Sequence, residues 1–173
     1  APAQIGAKVG SLRFKDIRYL PRSLRDFGAK RAFALVFVTR QCPLALRYLP
    51  EIKRLSTVYG KRGVQFVVVD VDAETDVVAM ASFALKHGLP TIVQDAGARC
   101  ARALGVRHTP EVAVVDAAGV LRYRGRIDDR IRLGGAKPAP ARRDLALALD
   151  DVLAGREVAV ETTPVDGCVV TVS

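Results

Sequence analysis

The sequence predicts an α/β domain: a central mixed β-sheet with helices on both faces, a β-hairpin ahead of it and an extended C-terminal tail behind it. Three observations lead there. Residues 32–39 (AFALVFVT) and 64–71 (VQFVVVDV) are continuous, apolar and rich in β-formers, as strands buried on both faces must be. Between them Leu44, Tyr48, Ile52, Leu55 and Tyr59 recur at three- and four-residue steps, one apolar stripe of a helix. Downstream, strand-like and helix-like stretches continue to alternate, the pattern of a sheet covered by its own connections.

Each element has its own signal. Leu12 and Phe14 alternate with polar neighbours and are followed by Ile17 and Leu20, a short hairpin laid beside the core. After the strand at 32–39, Pro43 opens the long helix, where its missing N–H has no partner to lose. Gly60 and Gly63 bracket the end of that helix. A helix is predicted over 75–87, with Val78, Ala81, Ala84 and Leu85 on its inner face, His87 as a dipole-stabilising end residue and Gly88 as the stop. A short strand at 91–93 leads to a helix at 96–104. Strands at 111–116 and 120–124 are joined by Ala117-Ala118-Gly119, hairpin chemistry. After a Gly/Pro-rich loop, Leu145, Leu149, Val152 and Leu153 mark a helix over 142–154, and the remainder is extended. The organisation is one domain over 1–157 and a tail over 158–173 that carries Cys168.

Composition narrows the function. Half of the 173 residues are hydrophobic, ample for a core without disulfides or metals. No apolar run approaches the roughly 18–20 residues of a membrane span, so no membrane insertion is expected. The net charge is +9 and the pI near 9.9. The basic residues are scattered, however, and no basic run is interleaved with stacking aromatics, so nucleic acid is not an expected partner. No Gly-x-Gly-x-x-Gly or Gly-Lys-Ser/Thr loop follows a strand, and no cofactor is expected. Three cysteines are too few for a disulfide scaffold. The small residues Ala1-Pro2-Ala3, as the start of a chain left after removal of a signal, fit export and point to an extracytoplasmic, for example periplasmic, location; the cytoplasm is the alternative.

The chemistry concentrates at Cys42. One residue before Pro43, it stands at about the N-cap of the long helix, where free backbone N–H groups and the positive end of the dipole favour an anion. A thiol there has a lowered pKa and becomes a nucleophile near neutral pH, and Arg40 adds positive potential. The competing structural role is a small buried hydrophobe. Cys100, on an apolar stripe with Leu104, is assigned that role.

Two segments carry a family resemblance. FVTRQCPLALRYLPEI, with Pro50 eight residues after Cys42, resembles the active-site strand and helix of thioredoxin-fold proteins. GVRHTPEVAVVDAAGV is similar to the segment around that fold's cis-proline, which places Pro110 opposite the reactive cysteine and Thr109 where backbone groups meet a bound chain. The start FKDIRYLPRSLRDFGAKRAFALVFV resembles the redoxin branch, the alkyl-hydroperoxide-reductase/thiol-specific-antioxidant superfamily. YRGRIDD and PVDGCVV resemble a peroxiredoxin-like subgroup of it. The resemblance implies a thioredoxin-like fold and a thiol-based oxidoreductase with antioxidant or thiol–disulfide activity. Two departures stand out. Ala45 occupies the place of a thioredoxin's second cysteine and Val36 that of its buried carboxylate. Thr39 matches the Pro-x-x-x-Thr-x-x-Cys of peroxiredoxins, but Leu35 replaces the proline.

With no second cysteine beside Cys42, the resemblance of the tail makes Cys168 its expected resolving partner. The expected site is then Cys42 and Cys168, supported by Thr39, Arg40, His108, Thr109 and Pro110. His108 is a proton donor or acceptor two residues before Pro110. Partners follow from the chemistry: a protein or small-molecule disulfide, or a peroxide, and an external thiol as reductant. The alternative is a soft-metal module, copper above all, using Cys42, His108 and Cys168. Asp128 and Asp129, after the last strand, are expected in a surface ion-pair cluster. Asp70 and Asp72 flank a strand end with no evident partner.

Overall fold

The computed structural model describes residues 1–72 and 76–171. The chain begins with a small hairpin, β1 (Phe14–Lys15) and β2 (Pro21–Arg22), and proceeds through β3 (Ala32–Val38), α1 (Pro43–Gly60), β4 (Val64–Asp70), α2 (Val77–His87) and β5 (Ile92–Gln94). Then come α3 (Arg99–Leu104), β6 (His108–Thr109), β7 (Glu111–Asp116), β8 (Leu121–Gly125), β9 (Ile131–Arg132), β10 (Gly135–Ala136), α4 (Asp144–Leu153) and β11 (Cys168–Val169). Seven strands form one sheet in the order β2-β1-β5-β4-β3-β7-β8. Its interior pairs β3–β4 and β4–β5 are parallel, while β3–β7, β7–β8 and β1–β5 are antiparallel, so the sheet is mixed.

Both faces of the sheet are covered, which is why β3 and β4 lack polar alternation. Successive side chains of a strand point to opposite faces. Ala34 and Val36 of β3 therefore join one core with α1, α4 and Met80 of α2, while Phe33, Leu35 and Phe37 join a second with α3 and the N-terminal Leu12. The expected α/β thioredoxin-like architecture is present, including the leading hairpin.

Two expectations need correction. The apolar face assigned to α2 is rotated: Val78 is 69% and Leu85 is 84% exposed. Met80 is buried and Phe83 and Ala84 pack against the core, a three- and four-residue spacing that Ala81 and Leu85 had concealed. Residue 75, at the expected start of this helix, lies outside the described residues. The carboxylates Asp128 and Asp129 are buried rather than on the surface: Asp128 accepts the Tyr48 hydroxyl, while Asp129 does make the expected ion pair, with Lys137.

The segment after α4 runs back over the sheet. Thr162 bridges Arg124 of β8, and Thr163 Oγ1 accepts the Arg126 N–H and pairs with the Tyr123 hydroxyl, at 2.9 and 2.7 Å. Gly125 is required at this crossing, since a β-carbon there would strike Thr163. From here the chain reaches β6, and β11 lies antiparallel on it.

Candidate active site

β3 ends at Val38, and residues 39–41 turn the chain into α1, with Cys42 as its N-cap and Pro43 in the first turn. The Cys42 N–H donates to the Thr39 carbonyl at 3.4 Å, which closes the turn. Cys42 is 1% exposed. Its sulfur is bonded to Cys168, with the two Cα atoms 6.0 Å apart and the residues 126 positions apart in sequence. That Cα separation lies within the ordinary disulfide range.

The opposite wall is the cis peptide Thr109–Pro110. Both residues are buried. Cys42 Sγ lies 3.4 Å from the Thr109 carbonyl oxygen. In the disulfide this is a contact, since the sulfur carries no proton to donate. The cavity at Cys42 is lined by Thr39, Gln41, Val71, Asp72, Cys168 and Val169.

Arg40 is engaged by two carboxylates. Its Nε lies 3.2 Å from Asp70 and 3.4 Å from Asp72, and its backbone N–H donates to Asp72 at 3.0 Å. A guanidinium shared by two carboxylates adds little net positive potential beyond them. These are the partners that the sequence alone did not show. Burial pushes the Asp70 carboxyl up to about 6; the Asp72 N–H opposes this, the Asp72 charge adds to it and Arg40 opposes it. Between about pH 4 and 6 folded Asp70 keeps a proton that the unfolded chain has lost. Stability therefore falls as pH rises through that window and levels off above it. The effect is on the order of 1–3 kcal/mol. Asp70→Asn is expected to flatten the slope in thermal unfolding measured at half-unit steps from pH 4 to 7. An unchanged slope removes Asp70 as its source.

A buried polar network sits beside the cis-proline, and sequence reasoning missed it because Tyr48 reads as one more member of the α1 stripe. The Tyr48 hydroxyl donates to the Asp128 carboxylate at 2.6 Å and accepts the Ile131 N–H at 3.0 Å. Burial raises its pKa, and the bond to Asp128 raises it further. Tyr48 and Pro110 share one small cavity. Tyr48→Phe strands the buried Ile131 N–H and removes one bond from Asp128, an expected loss of about 1–3 kcal/mol. Calorimetry should show Tm lower by about 5 °C; a shift below 1 °C shows the network to be dispensable.

His108 is brought near the site by its backbone, not by its ring. Its Nδ1 is 3.8 Å from the Glu111 carboxylate, and it lines a separate groove with Arg107, Arg124 and the N-terminal residues. Cys42, His108 and Cys168 thus do not assemble into a ligand set. Among the described residues no group of three or more His, Cys, Asp or Glu is arranged to hold a metal ion. Cys100 is buried with its Sγ 3.3 Å from the Arg13 carbonyl, and burial pushes its thiol up to about 12.

A mixed sheet wrapped by helices, with a helix-capping cysteine facing a cis-proline, defines a thioredoxin-like fold built around a redox-capable cysteine. The Redoxin family model matches residues 21–137, and the chain belongs to the redoxin family. No curated protein matches it. Among solved structures, a hypothetical protein of Sinorhizobium meliloti is 21% identical with a TM-score of 0.86, covering 100% of this chain and 97% of the other. An uncharacterised conserved protein of Geobacillus kaustophilus is 23% identical with a TM-score of 0.85, covering 98% and 93%. A secreted disulfide oxidoreductase of Mycobacterium tuberculosis, homologous to DsbE of E. coli, is 21% identical with a TM-score of 0.56, covering 83% and 95%. Among the described residues no helix is long and apolar enough to cross a membrane.

Proposed function

We propose that the protein is a thiol–disulfide oxidoreductase in which Cys42 is the nucleophile and Cys168, delivered by a tail over 158–173 from a domain over 1–157, is the resolving cysteine. The observation that supports this most directly is the Cys42–Cys168 disulfide at the N-terminus of α1, facing cis-Pro110. Ala45 occupies the position of a thioredoxin's second cysteine, and the tail supplies the missing sulfur from 126 positions away. In this reading Thr39 closes the turn that presents Cys42, and Arg40 braces it through Asp70 and Asp72. His108 and Thr109 offer the backbone edge on which the tail rests, and Pro110 holds that edge in place.

A disulfide substrate fits better than a peroxide, because an extended strand already lies on β6 with its cysteine bonded to Cys42. An external thiol returns the pair to the reduced form. A disulfide of this kind fits an oxidising compartment, and the Mycobacterium tuberculosis neighbour is described as secreted; both support an extracytoplasmic setting. The test is to mix the reduced protein with insulin or with hydrogen peroxide and map its cysteines by mass spectrometry over time. Insulin is expected to close Cys42–Cys168 and to be reduced in step. Rapid closure by peroxide with inert insulin would reverse the assignment, and free thiols in both reactions would end it.

A further inference from the structure

The tail that fills the slot beside Cys42 shows which other chains fit there. β11 lies antiparallel on β6 with Cys168 opposite Thr109 and Val169 opposite His108, and the Val170 N–H donates to the Arg107 carbonyl at 2.9 Å. These backbone bonds accept any extended chain, so selection falls to two side-chain positions. The first is the residue before the cysteine. Gly167 crosses Thr109 so closely that a β-carbon there would run into the Thr109 carbonyl. That carbonyl has no room to swing aside, because Thr109 is fully buried. The second is two residues after the cysteine, where Val170 packs against the core formed by β3 and α3. Val169, between them, is 72% exposed and unconstrained.

We propose that the β6 edge docks an extended polypeptide whose redox-active cysteine is preceded by glycine and followed, two residues on, by an aliphatic residue, with residues 167–170 as a tethered copy of that partner. The proposal rests on the thiol–disulfide reading above. The Cys42 thiolate attacks the partner's cysteine sulfur within its disulfide. A Cys42–partner S–S bond forms, and the partner's other sulfur leaves as a thiolate and takes a proton. Cys168, as thiolate, then attacks Cys42 Sγ; the Cys42–Cys168 bond forms and the partner's cysteine leaves as a thiolate. The partner gains two electrons and the protein's dithiol supplies them. Partner and tail need the same edge, so closing the internal disulfide and ejecting the partner strand are one event.

The test uses the full chain with Cys168→Ser, so that adducts at Cys42 persist. Peptides Asp-Gly-Cys-Val-Val, Asp-Ala-Cys-Val-Val, Asp-Gly-Cys-Asp-Val and Asp-Gly-Cys-Val-Asp carry the cysteine as a mixed disulfide with thionitrobenzoate. Release of the chromophore gives each trapping rate, divided by that peptide's rate with glutathione to cancel intrinsic reactivity. Alanine before the cysteine is expected to slow trapping about tenfold or more, and aspartate at the second following position several-fold. Aspartate at the first following position should have little effect. Equal rates for all four overturn the docking rule while leaving thiol–disulfide chemistry standing. No reaction with the peptides or with the symmetrical dithiobis(nitrobenzoate) overturns both. In the otherwise natural chain, Gly167→Ala should slow closure of Cys42–Cys168 from a glutathione adduct by about the same factor; unchanged closure counts against the slot.

Discussion

Cys42→Ser is expected to abolish disulfide reduction, whereas Cys168→Ser leaves the first step intact and stalls the second. The asymmetry follows from placement. Cys42 caps α1, where the helix terminus favours a thiolate, and Cys168 sits on a two-residue strand held by backbone bonds. Loss of the nucleophile should lower turnover of insulin on the order of 10³-fold or more, since hydroxyl does not replace thiolate. With Cys168→Ser, one equivalent of mixed disulfide at Cys42 should accumulate, and turnover should fall to the rate at which added thiol clears it. Mass mapping of the adduct decides the matter. Equal adduct yields at Cys42 and Cys168 in the reciprocal variants would show that neither is the preferred nucleophile.

Reduction of the Cys42–Cys168 bond should cost the fold several kcal/mol. The bond closes a loop of 126 positions, and constraint of the unfolded chain by a loop of that size is worth about 4–5 kcal/mol in the chain-entropy account, with about 2–5 observed for native disulfides. For a domain of this length each kcal/mol moves Tm by about 2–4 °C, so the reduced protein should melt about 10 °C below the oxidised one. Cys168→Ser should melt with the reduced protein and show no dependence on reductant. A difference of a degree or less would mean that the tail stays docked, or never constrained the chain, without its sulfur. Stability and redox state are thereby linked: the two thiol equivalents that reduce the pair remove the covalent tie between the tail and α1.

The core was legible because burial on both faces leaves a plain mark. β3 and β4 could hardly be other than central strands, with an uninterrupted apolar run in each. α1 was legible from its stripe and from Pro43, and β7 from the turn residues that follow it. α2 was misread in its rotation, because an alanine-rich helix offers several apolar faces and periodicity does not rank them. Met80 decides the face only when the sheet is there to receive it. The buried polar groups were the least legible. Asp128 and Asp129 look like any exposed acidic pair until Tyr48, 80 positions upstream of Asp128, supplies its hydroxyl.

What the sequence determined by itself is local: a mixed sheet with two buried strands, a helix opened by Pro43 and a cysteine at its N-cap. These follow from side-chain periodicity and from the backbone chemistry of a helix end, both of which act over a few residues. The meeting of Cys42 with Cys168, the pairing of Arg40 with Asp70 and Asp72, and the turning of His108 toward Glu111 were decided by the tertiary structure. Each depends on where a sheet edge or strand end lies in space. The closeness of Gly167 to Thr109, which sets the proposed docking rule, depends on the approach of two backbones, and a glycine in an extended tail shows no sign of that until the tail is folded back.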